Sequence, residues 1–352
     1  MSASILSTSN EDQLISSLRE YSLKELSSSC EFLVFVPFWG RHRTEHPNAD
    51  LVSKISALFR DLGHKVTLAW DHESFPDLRV PDGVKGQDLK RDHFIFSKGI
   101  GERKVSGPRR WDTSKPAFLQ RIAVAECAYE AEAVLPILAP APSTSFLVSG
   151  SITSFLSLLP TQTIAKILLE STTSNVGSAL AEVYSLLSFK TIGAVYDASQ
   201  ITDWPGIGKP DRKNFETKIF SSDCVAGDAY ISELFGWPSY LPQVVRASID
   251  LGSGEGRLYN VDFDGRLLKG YFHIRRMVSD KNTVFYPLAM VSRYYLKFNK
   301  DNCGFCHLCE HVCPNGSIKF DDGKMKVLGS CVKCWACADS CPNFAIEIRR
   351  SP

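Results

Sequence analysis

The sequence predicts an α/β protein, a mostly parallel sheet with helices on both faces, with a small cysteine-dense α+β module appended at the C-terminus. Three observations predict it. Short apolar runs alternate with helical spacing, beginning at Glu31-Phe-Leu-Val-Phe-Val-Pro37, residues 49–63 and Lys65-Val-Thr-Leu-Ala-Trp70, which reads as a βαβ unit. Helix stops and starts are marked, most clearly by Asp223 before and Gly236 and Pro238 after one apolar helix. Eight of the 11 cysteines crowd between Cys303 and Cys341 of a 352-residue chain.

Taken in order, residues 1–30 form a Ser- and Leu-rich arm with one amphipathic helix at 12–26. The body, 31–295, opens with the βαβ unit. Residues 80–115 lack periodicity and read as a long basic loop, a lid over an anionic substrate or a dock for an acidic partner. A helix is expected at 115–134, strands at 134–138 and 145–148, helices at 162–170 and 177–187, strands at 191–196 and 217–220, and the capped helix at 223–235. Residues 260–263 and 266–274 flank Asp264-Gly265 as a closing hairpin. The tail is 296–352.

Composition excludes several classes. Lys plus Arg number 40 against 39 Asp plus Glu, a net charge of +1, so no bulk attraction to nucleic acid is expected. The charge-free run 133–165 contains Pro136, Pro140, Pro142 and Pro160, which argues for two buried strands over a membrane span. The first residues carry neither a basic nor an apolar leader pattern, so a reducing, cytoplasmic setting is expected.

The tail cysteines repeat one pattern, C-x2-C-x2-C-x3-C-P, as Cys303, Cys306, Cys309, Cys313 and again as Cys331, Cys334, Cys337, Cys341. The second copy lies in register with the first. Each cysteine falls on its counterpart, as do Asn343 on Asn315 and Ile346 on Ile318, so the module is an internal duplication. Three thiolates two residues apart can face one cubane, while the fourth, before Pro, points to the other half. The expected ligand sets therefore cross over. Cys303, Cys306, Cys309 and Cys341 hold one [4Fe-4S] cluster; Cys331, Cys334, Cys337 and Cys313 hold the second. Structural zinc also uses C-x2-C pairs, but has no use for the third cysteine and the trailing Cys-Pro. Residues 301–348 resemble the bacterial two-cluster ferredoxins. So short a module cannot bury enough apolar surface alone, so its clusters serve as its core.

In parallel sheets ligands bind beyond the carboxyl ends of the strands. Arg41, His42 and Arg43 follow the first strand, Asp71-His72 the second, and Asp197 and Asp223 two later ones. This places His42, His72, Asp197 and Asp223 as candidate proton donors or acceptors, with Arg41, Arg43 and Lys209 as contacts for an anionic small-molecule substrate. Gly252-Ser-Gly254-Glu-Gly256 and Gly206-Ile-Gly208-Lys209 lack the context of nucleotide-binding loops, so electrons would pass through the clusters. Cys30 and Cys127 read as core thiols; Cys224 opens a helix, where a thiolate is favoured.

Val195-Tyr-Asp197, the Gly206-Ile-Gly208 turn, Ser222-Asp223-Cys-Val-Ala-Gly-Asp228-Ala and Leu234-Phe-Gly236-Trp carry a likeness over residues 191–264. This segment resembles the domain of unknown function 362 family, many members of which carry a two-cluster ferredoxin module. The family pattern has Pro where this chain has Cys224, and Lys-Pro-Asn where it has Phe38-Trp39-Gly40. The resemblance implies an α/β body with fused clusters and leaves the reaction open. The expected function is an iron–sulfur oxidoreductase passing low-potential electrons through two [4Fe-4S] clusters to a substrate at the strand-end face. The alternative is an electron-transfer protein whose body docks a partner redox enzyme. The electron donor or acceptor would be a ferredoxin, flavodoxin or reductase.

Overall fold

The computed structural model describes residues 3–26, 29–38, 45–89, 94–98, 121–143, 146–160, 163–164, 176–203, 211–265, 268–272, 294–313, 316–321, 323–331, 336–339, 341 and 343–350. Among them, twelve strands lie in the body: β1 (Ser4–Thr8), β2 (Glu31–Phe35), β3 (Lys65–Trp70), β4 (Lys85–Asp88), β5 (Phe94–Lys98), β6 (Arg121–Ala125), β7 (Ala133–Leu138), β8 (Ala141–Ser143), β9 (Leu147–Ser149), β10 (Ala194–Asp203), β11 (Asp211–Ser221) and β12 (Asp262–Gly265). Eight make one sheet, in the order β12-β1-β11-β10-β7-β2-β3-β4. Its neighbours pair in parallel except at β11, which runs antiparallel to both β1 and β10.

Alternation along the strands splits the interior into two layers. In β2, Phe32 and Val34 face one core and Leu33 and Phe35 the other; β7 does the same with Leu135 and Ile137 against Val134 and Leu138. The first core is closed by the helices Glu11–Glu25 and Ala49–Asp61, through Leu14, Leu18, Ile55 and Phe59. The second is closed by Val176–Leu187, Cys224–Leu234 and Gln243–Asp250. The α/β class with helices on both faces is thus observed. Caps follow the sequence: Asn10, Asn48 and Asp223 each accept two N–H bonds from the first turn they open, and Gly63 and Gly236 take φ of 94° and 81° just past a helix end.

Four expectations are corrected. The N-terminal arm contributes more than a helix, because β1 pairs with β11 and β12 and belongs to the sheet. Residues 121–125 form a strand paired with β5 and not part of a helix; Arg-Ile-Ala-Val-Ala is too short for periodicity to separate the two. The loop expected at 80–115 contains β4, paired with β3, and β5. Among the described residues of the hairpin expected at 260–274 the pairing is a different one: β12 pairs in parallel with β1, a partner from the opposite end of the body that no local pattern announces. The helix expected at 162–170 and residues 99–120 fall largely outside the described residues.

Sequence order sets a switch point. From β2 the chain moves one way, to β3 and β4, and then returns to the other side as β7 and β10. The chain therefore leaves the paired ends of β2 and β7 toward opposite faces of the sheet, and the crevice between those connections is where such sheets place ligands.

Candidate functional site

Within the tail, the sequence duplication is repeated in the geometry. One two-stranded sheet pairs β13 (Tyr294–Phe298) with β16 (Ile346–Arg350), and a second pairs β14 (Ile318–Asp321) with β15 (Lys324–Val327). The short helices Leu308–His311 and Ala336–Asp339 occupy equivalent places in the repeat, as do β14 and β16. Backbone bonds match pair by pair. Cys303 N–H donates to Lys300 O at 3.1 Å as Cys331 N–H does to Leu328 O at 3.0 Å, and Gly316 N–H donates to Cys313 O at 3.1 Å as Phe344 N–H does to Cys341 O at 3.2 Å. Ser317 N–H donates to Cys313 Sγ at 3.1 Å, and Ala345 N–H to Cys341 Sγ at 3.2 Å. Both turns need a left-handed residue, Gly316 at φ 56° and Phe344 at φ 54°. Glycine adopts that region freely; phenylalanine is strained there by about 1–2 kcal/mol.

Four of the thiols, those of Cys303, Cys306, Cys309 and Cys341, lie near one another. Burial, then its neighbours Cys341, Cys306 and Cys303, pushes the Cys309 thiol up to about 12, and burial also raises that of Cys341, with Cys306 beside it. So Cys341, which belongs to the second copy of the motif, joins the loop of the first. Cys309, Cys337 and Cys341 also form the module's own core with Ile318, Ala345 and Ile346, flanked by Cys303 and Cys313. Cys334 lies outside the described residues. Clustered thiols, N–H donors aimed at sulfur and apolar surroundings fit a [4Fe-4S] group: thiolates need a cation to relieve their mutual repulsion, and donors to sulfur stabilise a reduced cluster.

This module is packed on the body. Leu308 and Phe344, buried, with Cys306 and Val312 beside them, join the core closed by the Cys224–Leu234 helix. The Phe344 ring meets Phe38 edge-on at 6.1 Å between centroids. Phe38 is the third residue beyond β2, is 7% exposed, and its N–H donates to Ser157 Oγ at 3.0 Å. The register Phe35↔Pro136 and Phe35↔Ala69 sets Phe38 just past the carboxyl ends of β7 and β3, at the switch point.

The predicted acid–base residues divide. Asp71 and His72 leave β3 at this edge; the His72 ring lies 4.0 Å from that of Trp70. Asp197 sits inside the long β10 and not at its end, yet β10 overruns β7, with Tyr196 level with Leu138, so Asp197 still borders the crevice. It accepts N–H bonds from Asn48 at 2.7 Å and Ser199 at 3.1 Å, which ties the start of the Ala49–Asp61 helix to the strand. Beside it Thr202 donates to Glu45 at 3.2 Å, and the His46 ring stacks on Phe75 at 4.6 Å. Asp223 does not join them. Because β11 is antiparallel, its carboxyl end lies at the opposite edge, where Ser221 pairs with Ala194 at the start of β10. There Asp223 caps its helix and accepts from Glu255 N–H at 2.8 Å; burial raises its pKa against those three backbone bonds. Arg41, His42, Arg43 and Lys209 lie outside the described residues.

Sequence reasoning passed over Asp228, although it stands in the quoted Ser222–Ala229 stretch. It is 1% exposed and accepts from Ser151 N–H (2.6 Å), Ile152 N–H (3.0 Å), Ser151 Oγ (2.9 Å) and Tyr196 OH (2.8 Å), so it caps the turn that begins at Ser151. Burial raises its pKa from 3.8 to about 6. Gly150 and Gly227 are the signal that was present: a Cβ on the first would overlap the Asp228 carboxylate, and on the second the Tyr196 hydroxyl. Cys224 is buried beneath this network, and burial lifts its thiol far above the usual range, overriding the helix N-terminus. Cys30 is core, as expected, with its sulfur 3.2 Å from His64 Nδ1 and burial pushing it up to about 11.

Comparison with known proteins finds a 4Fe-4S binding domain over residues 296–319. No curated protein matches the chain. A crystal structure of a Thermotoga maritima protein aligns at 11% identity and a TM-score of 0.40, covering 90% of this chain and 86% of that one. Among the described residues no helix is long and apolar enough to cross a membrane. The C-terminus of this chain therefore carries an iron–sulfur, ferredoxin-type domain with the capacity for electron transfer.

Proposed function

We propose that the chain is an iron–sulfur oxidoreductase. It holds two [4Fe-4S] clusters and delivers electrons to a small molecule in the crevice beyond β2 and β7. The observation that carries this reading is the seating of Phe344 on Phe38. The two halves of the module differ at this position, Gly316 in one and a strained, buried Phe344 in the other. Strain kept at one residue marks a constraint, and here it coincides with contact at the switch point. The ligand set Cys303, Cys306, Cys309 and Cys341 is then the one next to the body. When bound, the clusters supply one-electron transfers.

The chain's own residues do the rest. Phe38, Phe344 and Leu308 exclude water between the ligand loop and the sheet. Of the titratable groups that border the crevice, His72 and Asp197 are assigned the proton transfers, and the Asn48 bond fixes the Asp197 carboxylate in place. The likeness of residues 191–264 to the domain of unknown function 362 family supports this reading and does not name a substrate. The test is anaerobic purification and mass spectrometry of what the denatured protein releases. The reading expects a reducible small molecule that reoxidises the reduced clusters, and weaker retention of it by His72→Ala. Clusters that stay reduced in the presence of every released compound would leave the body as a docking module and refute it.

A further inference from the structure

The duplication makes each half of the module a control for the other at Ser317, whose counterpart in the second copy is Ala345. The backbone bonds of the two residues match. Ser317 N–H donates to Cys313 Sγ at 3.1 Å, and Ala345 N–H to Cys341 Sγ at 3.2 Å. Each carbonyl accepts an N–H from the residue just past the neighbouring strand, Ser317 from Leu328 after β15 and Ala345 from Asn299 after β13, both at 2.8 Å. Both residues are buried, at 0% and 1% exposure. The side chains differ. The Ser317 hydroxyl is bonded at 2.8 Å to the hydroxyl of Ser330, whereas Ala345 has no polar group to offer. Alanine fills the equivalent place with the same backbone bonds, so the fold does not call for the hydroxyl. Burying one costs free energy that a methyl does not, and its bond is where a compensating role would lie.

That bond stands where the crossed ligand set must close. Cys313 comes from the first copy of the motif and Cys331 from the second. Ser317 reaches toward both. Its N–H holds the Cys313 sulfur; its carbonyl holds Leu328, whose own carbonyl accepts the Cys331 N–H at 3.0 Å; its hydroxyl holds Ser330, the residue before Cys331. The hydroxyl pair thus adds a side-chain tie between the Cys313 turn and the Cys331 loop that the first ligand set lacks at this position.

From this we infer that Ser317 is a positioning residue of the second ligand set. Its bond to Ser330 draws the Cys313 turn onto the Cys331 loop and holds the Ser317 N–H on the Cys313 sulfur, which makes the cluster there easier to reduce than alanine at 317 would. The inference rests on the two-cluster reading above. Reduction adds one electron, with no bond made or broken. The added charge falls partly on the ligand sulfurs, where a firmly held N–H dipole stabilises it, so slackening that donor lowers the potential.

The experiment is an anaerobic redox titration of the full chain with dithionite, followed by electron paramagnetic resonance. Two one-electron steps are expected, and the step lost in Cys313→Ser belongs to the second set. In Ser317→Ala, which copies Ala345, that step should become at least about threefold less favourable, a downward shift of about 30 mV for one electron. Ser330→Ala, at an exposed position, should do the same. The double variant should add nothing, because either change removes the same bond, and Ser330→Thr, which keeps a hydroxyl, should restore the wild-type value. The first-set step should stay in place throughout. A second-set step unmoved in both alanine variants overturns the inference while leaving the two-cluster reading intact. An equal shift of both steps overturns it too, by marking a general loosening of the module. If Ser317→Ala sheds half of its iron, Ser330→Ala decides: a lowered second-set step supports the inference and an unmoved one overturns it. About four irons in the wild-type chain would sink the two-cluster reading and this inference with it.

Discussion

Replacing Asp228 by Asn tests the buried network beneath the Ser222–Ala229 stretch. The carboxylate is enclosed and accepts four hydrogen bonds, yet burial raises its pKa from 3.8 to about 6. The folded state thus binds this proton more tightly than the unfolded chain. Its stabilising contribution is fully present below the unfolded pKa and is lost as pH rises through the folded one. The difference corresponds to about 3 kcal/mol over the full range, and about 1 kcal/mol between pH 7 and pH 5. Asparagine removes that dependence. It also presents an NH2 to the Ile152 N–H that Oδ2 now accepts at 3.0 Å, leaving a buried donor unpaired at a cost of up to about 1–3 kcal/mol. Urea unfolding followed by tryptophan fluorescence, at pH 7 and pH 5 under anaerobic conditions, measures the gap between wild type and Asp228→Asn. The gap should widen by about 1 kcal/mol at the lower pH. A gap that is constant or narrows on acidification would refute the assignment of the raised pKa to this carboxylate.

Other predictions follow from the same geometry. Cys341→Ser should remove the iron held with Cys303, Cys306 and Cys309, about half of the total, and Cys313→Ser the other half; iron analysis with electron paramagnetic resonance checks which signal survives. In Gly150→Ala the added methyl overlaps the Asp228 carboxylate, so the urea midpoint should drop by the equivalent of about 1–3 kcal/mol. Cys224, fully buried with its thiol pushed up by burial, should stay unmodified when the native chain is treated with iodoacetamide at pH 8, as peptide mass mapping would show. Phe344→Gly, which copies Gly316, should keep the iron while loosening the module from the body, seen as faster amide exchange around Phe38.

Much of this architecture was legible locally. The helix at Asp223 carries its cap, its apolar run and its terminal glycine between Asp223 and Gly236, and each signal acts at short range. The cysteine repeat was legible for a different reason. Ligand spacing is fixed by the geometry of the group held, and a duplicated motif in register states it twice. What escaped were choices made at long range. Nothing near residue 217 declares that β11 runs antiparallel, and that one reversal moves Asp223 from the crevice to the far edge of the sheet. Ser-Ile-Leu-Ser-Thr joins the sheet because two distant strands offer it main-chain partners. Asp228 looked like one more acid on a helix; only the approach of Ser151 and Tyr196 makes it the hub of four bonds.

The most direct test of the central claim is a count of iron and acid-labile sulfide in the anaerobically purified chain, combined with electron paramagnetic resonance after dithionite. Two crossed ligand sets predict about eight of each per chain and a reduced-cluster signal. About four of each, or zinc in place of iron with no reduced signal, would contradict it.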